Sequence, residues 1–244
     1  VRIYYLSDLH IEELEGYSSI LEDALPLSGD NGNDWVVVAG DISSRASIVK
    51  GVLVYLASKF GRVLFVMGNH EYRSDYFLTY ENTEKAYKTL LSGFGNIHFL
   101  NNEVLELDGL RVAGSTSWYE LPDNYSKAWW KTFSSDYVYV HSDWNDSNNH
   151  HNRDYEFLRS LVDTKIDLLV THFPPRSFIE ISEEYVSLLP KYSDIHPRYW
   201  ICGHEHVCIE EDFNGSTVLM NPMGYPGEST AYSPRFIEIE PSKS

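Results

Sequence analysis

The sequence predicts an α/β domain built in layers with mixed sheets, and three observations carry that prediction. Short continuous apolar runs alternate with segments of helical spacing in the first half of the chain. Strand-like runs and turns dominate the later part. Five of the strand-like runs end in a carboxylate, amide or imidazole side chain, which gives the layering a chemical purpose.

Taken in order, Arg2 to Leu6 forms a strand that leads into Ser7-Asp8-Leu9-His10. Trp35 to Ala39 is a continuous apolar strand ending at Gly40-Asp41. From about Ser44 to Phe60 the spacing turns helical, with Ile48, Val52, Tyr55 and Leu56 on one side. Val63 to Val66 is a buried strand ending at Gly68-Asn69-His70-Glu71. A second helix is predicted over Glu81 to Phe94, with Ala86, Leu90 and Leu91 inward. Ile97 to Leu100, Val104 to Leu107 and Arg111 to Ala113 are short strands, with a turn at Asp108-Gly109. Asn152 to Val162 is a helix, and Asp167 to Val170 is a strand leading to Thr171-His172. Tyr199 to Cys202 leads to Gly203-His204-Glu205-His206. Val207 to Asp212, Thr217 to Met220 and Phe236 to Ile239 make a strand-rich tail that turns at Asn214-Gly215.

No repeat, low-complexity segment or linker interrupts this order, so residues 1–244 are expected to form a single domain. The exception is an aromatic-rich, irregular insertion at about 119–151. A loop of that length is functional or disordered, and its aromatic content argues against disorder.

Charge narrows the function classes. The chain of 244 residues carries a formal net charge of -17, which repels polyphosphate backbones and disfavours broad nucleic-acid binding. Bound divalent cations would reverse the field locally and still admit small anions. No apolar run is long enough for a membrane helix, and the start resembles a strand, not a signal peptide. Cys202 and Cys208 fit neither a redox pair nor a zinc knuckle and are expected as buried free thiols on strands. A cytoplasmic protein is expected on these grounds.

The strand-end residues form the candidate site: Asp8 and His10, Asp41, Asn69, His172, and His204 and His206. In α/β sheets, sites form outside the carboxyl ends of the strands. Asp8/His10 and His204/His206 are two apart, so an extended segment presents both members of each pair on one face. Together these residues exceed the ligand set of one ion. Carboxylate, amide and imidazole donors without thiolate suit manganese first, and iron, zinc, nickel or cobalt.

The ordered pattern of DxH, GD, GNHE, H and GHxH from Asp8 to His206 resembles the calcineurin-like metallophosphoesterases. Gly114-Ser115-Thr116-Ser117-Trp118 and Asn221-Pro222-Met223-Gly224-Tyr225-Pro226-Gly227-Glu228 are similar to a branch of predicted bacterial and phage phosphohydrolases. The resemblance implies a four-layer αββα sandwich, two mixed β-sheets flanked by helices. It implies two divalent or trivalent ions, one on Asp8, His10 and His206, the other on Asn69, His172 and His204, with Asp41 bridging. It further implies attack on phosphorus by a water activated between the metals, with His70 as general acid.

One departure matters. The protein phosphatase branch continues GD as GDxxDRG, whereas this chain has Gly40-Asp41-Ile42-Ser43-Ser44-Arg45, and Met67 stands where that branch has an arginine before GNH. A protein phosphatase is therefore disfavoured, while Arg45 stays a candidate for substrate phosphate. Trp118 is a candidate for stacking a flat leaving group, as are Tyr125, Trp129, Trp130, Tyr137 and Trp144, with His98, His141, His150 and His151 as candidate polar contacts, although packing or solvation is expected for most of them. Tyr225 and Glu228 are expected to pack rather than to line the site. Glu71 and Thr171 lie close by without an assigned partner. The expected activity is a phosphodiesterase or phosphatase acting on a small, nucleotide-like phosphoester. The alternatives are a nuclease and a non-catalytic scaffold. Full retention of the ligand pattern opposes the scaffold.

Overall fold

Side-chain alternation along the strands divides the apolar residues among three cores, and the three cores define four layers. The structure, a computed structural model, describes residues 1–12, 16–25, 32–73, 79–121, 136, 140, 144–179 and 192–241. The strands are β1 (Arg2–Leu6), β2 (Trp35–Ala39), β3 (Arg62–Val66), β4 (Ile97–Phe99), β5 (Glu103–Leu107), β6 (Leu110–Ser115), β7 (Leu168–Thr171), β8 (Tyr199–Cys202), β9 (Ile209–Phe213), β10 (Ser216–Met220) and β11 (Phe236–Glu238). The helices are α1 (Tyr17–Ala24), α2 (Ala46–Ala57), α3 (Asn69–Tyr72), α4 (Tyr80–Leu91) and α5 (Trp144–Arg159).

One sheet has the order β11-β1-β2-β3-β4 and the other β5-β6-β7-β8-β10-β9. Both are mixed: the inner strands run parallel, while β11, β5 and β9 pair antiparallel at the edges. Tyr4, Leu6, Val36, Val38, Val63 and Phe65 face α1, α2 and α4. Their alternates Ile3, Tyr5, Val37, Ala39, Leu64 and Val66 meet Leu110, Val112, Leu168, Val170, Ile201 and Leu219 between the sheets. The outer side of the second sheet, with Leu169, Trp200, Val218 and Met220, packs against Leu158 of α5. Burial on both faces explains why the central strands are continuous apolar runs rather than alternating ones. The architecture is the four-layer αββα sandwich.

Three local expectations need correction. Helix α1 was not anticipated, because its inward side holds little beyond Leu21 and Ala24. Helix α5 starts at Trp144, inside the stretch expected to be irregular, not at Asn152. Its buried positions, Ser147, His150, His151, Asp154 and Leu158, keep a helical period, but most of them are polar and so escape an apolar pattern search. Cys202 is buried as expected, whereas Cys208 is half-buried and precedes β9.

The sheets approach closely at Gly114. A Cβ there would collide with Leu100 and sit 3.0 Å from Val66 Cγ1. Gly114→Ala is therefore expected to cost about 1–3 kcal/mol by overpacking, measurable as a lower urea midpoint at unchanged m-value.

Candidate metal centre

The carboxyl ends of β1, β2 and β3 in one sheet and of β7 and β8 in the other open onto the same place. Hydrogen bonds link the chains leaving them. The Asp8 N–H donates to Gly40 O at 3.0 Å and the His10 N–H to Asp41 O at 3.1 Å. Across the sheets, the His204 N–H reaches both oxygens of Asp8 at 3.1 Å, and His172 Nδ1 lies 2.8 Å from Ala39 O.

The backbone turns sharply at these exits. Asp8, His10, Asp41, His204 and His206 all have positive φ, a conformation that non-glycine residues seldom adopt outside overdetermined sites. Gly40 is left-handed as well, at φ 85°. Gly68 and Gly203 are needed for space instead. A Cβ on Gly68 would run into the Asp41 carboxylate, and one on Gly203 would lie 2.7 Å from Asp8 Oδ2.

The donors converge. Asp8, His10 and His206 place one ligand atom each within 4.8 Å of one another, as do Asp8, Asp41 and His172, and His10, Asp41 and His70. His10 Nε2 and His206 Nε2 are 3.0 Å apart, and His206 Nε2 is 3.5 Å from Asp8 Oδ1. His172 Nε2 is 3.1 Å from Asn69 Oδ1 and 3.5 Å from Asp41 Oδ1. The His204 ring packs edge-on to that of His172, at 5.2 Å between centroids. Donors that share an ion at bonds of about 2.1 Å lie roughly 3 Å apart, so these spacings suit cations.

Proton logic agrees. His172 Nδ1 donates to Ala39 O, which aims Nε2 at the Asn69 and Asp41 oxygens. His10 Nδ1 is buried without a hydrogen-bond partner among the described residues. Burial pushes His10 down to about 4 and His204 well below the usual imidazole range, so both rings are neutral and able to ligate. Burial, then the Asp8 charge, raises Asp41 well above the carboxylate range. Burial opposes ionisation of Asp8, yet His206, His172 and the Ser7 hydroxyl hold it well below that range. Burial also lowers His206, but Asp8 and Glu228 outweigh it and push the ring up to about 9. The opposed shifts express a crowding of like groups that metal cations would relieve. The residue set fits two cations.

Several supporting residues were not assigned from sequence. Glu71 is buried and accepts the backbone N–H groups of Gly68 at 2.6 Å, Asp41 at 2.9 Å, Ile42 at 2.7 Å and Ser43 at 3.3 Å. It fastens the exit of β2 to that of β3. Asp136, for which the sequence offered no signal, accepts from Asn69 Nδ2 at 3.0 Å and from Arg73 Nη2 at 2.7 Å. Arg73 Nη1 is 2.6 Å from His70 Nε2, and burial followed by the Arg73 charge pushes His70 down to about 2. Thr171 serves packing, since its hydroxyl donates to Phe173 O and accepts from Trp200 Nε1.

Other expectations change. Tyr225 and Glu228 are not mere packing residues. Tyr225 stacks on His10 at 4.0 Å and its hydroxyl lies 3.1 Å from His70 Nε2, while Glu228 Oε2 accepts from His206 Nδ1 at 2.7 Å. Trp118 cannot stack a substrate: it is 0% exposed, and its indole N–H donates to Ser147 Oγ. His150 and His151 are buried beside it, against Tyr80 and the Trp118 carbonyl, and do not reach toward substrate. Arg45 is exposed at the N-cap of α2 and forms no ion pair among the described residues. Tyr125, Trp129, Trp130, Tyr137 and His141 lie outside the described residues.

Glu71→Gln replaces one acceptor oxygen by a donor facing backbone N–H groups. A loss of about 1–3 kcal/mol is expected, together with a lower metal stoichiometry, read by chemical denaturation and by elemental analysis.

Among known proteins, the calcineurin-like phosphoesterase family model matches residues 1–208. The uncharacterized protein L509 of Acanthamoeba polyphaga mimivirus is 23% identical over 97% of this chain and 96% of its own length. The [acyl-carrier-protein] phosphodiesterase PptH of Mycobacterium tuberculosis is 38% identical, over 28% of this chain and 20% of its own length. The crystal structure of the phosphopantetheinyl hydrolase PptH from M. tuberculosis shares the fold, with a TM-score of 0.71 at 17% identity, covering 99% of this chain and 97% of that one. The chain belongs to the calcineurin-like phosphoesterase family and is, by that membership, a metal-dependent phosphoric ester hydrolase.

Proposed function

We propose that this protein is a binuclear phosphodiesterase acting on a small phosphoester. One observation carries the reading: imidazole nitrogens, carboxylate oxygens and an amide oxygen from five strand ends converge at 3.0–3.5 Å on one largely buried space. In this reading Asp8, His10 and His206 would hold one ion and Asn69, His172 and His204 the other, with Asp41 available to both. Asp41 fits that place because it shares one donor set with His172 and another with His10. When bound, two divalent ions supply a water of lowered pKa and neutralise charge on phosphate.

The chain's own residues do the rest. Hydrolysis forms a phosphorus–oxygen bond to water, breaks the one to the leaving oxygen, and needs a proton for that oxygen. We assign the proton to His70, which lies 3.9 Å from Asp41 Oδ2 and is anchored by its backbone N–H on Asp41 Oδ1 at 2.8 Å. The Tyr225 hydroxyl beside His70 marks the leaving-group side.

A small substrate is favoured by the net charge of -17, which disfavours the nuclease alternative. The likeness to PptH brings a phosphopantetheinyl diester into the candidate set beside nucleotides and cyclic nucleotides. Manganese suits the donor set, and two free cysteines suit a cytoplasmic setting. No helix among the described residues is long and apolar enough to cross a membrane. We take residues 1–244 as one domain, since the three cores draw on elements from β1 to β11.

The test is a screen of manganese-loaded protein against nucleotides, cyclic nucleotides, phosphopantetheinyl diesters, a labelled oligonucleotide and model mono- and diesters. Turnover of a small diester is expected, abolished by chelation and restored by manganese. His70→Ala is expected to lower kcat by roughly 10²- to 10⁴-fold with both ions retained. Asp41→Asn is expected to lose turnover together with metal. Loaded wild-type protein that cleaves no phosphoester sinks the reading, and preferential cleavage of the oligonucleotide replaces it with the nuclease.

A further inference from the structure

A buried guanidinium beside a centre built for cations needs a reason. Arg73 directly follows α3, and its N–H donates to His70 O at 3.1 Å, so its backbone is fixed relative to Asn69 and His70. Its side chain is only 13% exposed. Nε and Nη2 both donate to a single oxygen, Asp136 Oδ1, at 3.1 and 2.7 Å. Nη1 lies 2.6 Å from His70 Nε2, and the guanidinium is also hydrogen-bonded to the Tyr225 side chain. Arginine keeps its charge under all ordinary conditions, so Arg73 cannot step aside by losing a proton. Its positive charge, held 2.6 Å from His70 beside the proposed ligand Asn69, opposes cation binding in the centre. An anion held between the ions and the guanidinium removes that conflict.

Asp136 does a second task with the same carboxylate. It accepts from Asn69 Nδ2 at 3.0 Å, which turns Asn69 Oδ1 toward His172 Nε2. It is 7% exposed and is held in turn by the Tyr119 hydroxyl at 3.3 Å. One buried carboxylate thus sets the orientation of a proposed metal ligand and of the nearby cation together.

We propose that Arg73 is the residue that takes the phosphate oxygens of the substrate, with Asp136 as its positioning residue. The proposal rests on the phosphoesterase reading and gives it an arginine that the sequence pattern of the protein phosphatases did not supply. Arginine suits the task because its planar fork matches phosphate geometry.

The experiment pairs calorimetric titration of the manganese-loaded protein with inorganic phosphate and steady-state turnover of bis-(p-nitrophenyl) phosphate. Wild type, Arg73→Ala, Arg73→Lys and Asp136→Asn are compared, with metal stoichiometry and thermal melts for each. Arg73→Ala is expected to weaken phosphate binding and raise KM by roughly ten- to a hundredfold with both ions retained. Arg73→Lys, which keeps the charge but not the fork, is expected to fall between and guards against a folding defect in the alanine variant. Asp136→Asn is expected to weaken phosphate binding and to lower metal stoichiometry as well. Wild-type phosphate affinity and KM in both Arg73 variants would overturn the assignment while leaving the hydrolase reading intact. Wild-type protein that neither cleaves the diester nor binds phosphate overturns both.

Discussion

Mutual repulsion among crowded nitrogen and oxygen donors is the constraint on which the rest of this structure depends. His172 Nε2 faces Asn69 and Asp41 oxygens, and His206 Nε2 faces His10 and Asp8, all in one largely buried space. Such a cluster flies apart unless cations or protons fill it and the backbone holds it. The backbone answer is visible. Five of the proposed ligands are left-handed, and the strain is held by hydrogen bonds between neighbouring strand exits. Glu71 gathers the N–H groups at two of those exits on one carboxylate. Two mixed sheets, with parallel central strands buried on both faces, supply the frame against which the exits are pinned.

The same constraint gives the two sheets a reason to stay in register. Ala39 O from the first sheet orients His172 from the second, and Asp8 from the first accepts the His204 N–H from the second. The inter-sheet core of Ile3, Val37, Val66, Val112, Val170 and Leu219 is apolar and holds the sheets by packing alone. Polar links at one end convert a greasy interface into a fixed one. Filling the centre with metal should therefore stiffen the whole sandwich, because binding is linked to the folded arrangement alone.

Legibility in the sequence followed the kind of force involved. Runs such as Trp35–Ala39 and Tyr199–Cys202 are strands because both faces are buried, and that leaves an apolar signature anyone can read. The seven strand-end residues were visible because they follow such runs directly. Helix α5 was misplaced because its inward stripe is made of Ser147, His150, His151 and Asp154. Those residues are satisfied by partners far away in sequence: Asp154 takes the Trp118 N–H and Asn102, and Arg153 joins His150 to Glu84. Trp118 was misjudged for the same reason, since its neighbourhood exists only after α5 docks. Asp136 and Arg73 were invisible because their roles are pairwise and long-range. Glu71 was adjacent to a recognised motif, but the four N–H groups it serves lie mostly on the preceding strand exit, which no local pattern reveals.

Support for the ligands and access for substrate are separated between elements. The proposed ligands Asp8, Asp41 and His172 are buried, and their orientation is set from within the sheets. Tyr225, by contrast, is 46% exposed, and it reaches the site from a segment laid beside the exit of β1. There Met223 N–H donates to Ser7 O at 3.0 Å and Gly224 N–H to Asp8 O at 2.9 Å. Glu228, in the same segment, accepts both from the Tyr225 N–H and from His206, so the exposed rim is tied to a proposed ligand through one carboxylate. Changing the Tyr225 ring alters what the rim presents to a leaving group and removes a stacking contact from His10, but takes no hydrogen bond from a proposed ligand. Changing Glu228 cannot be so selective, because it sets the His206 tautomer as well. Within one short segment, then, the aromatic position is free to set substrate preference, and the acidic position is bound to the chemistry.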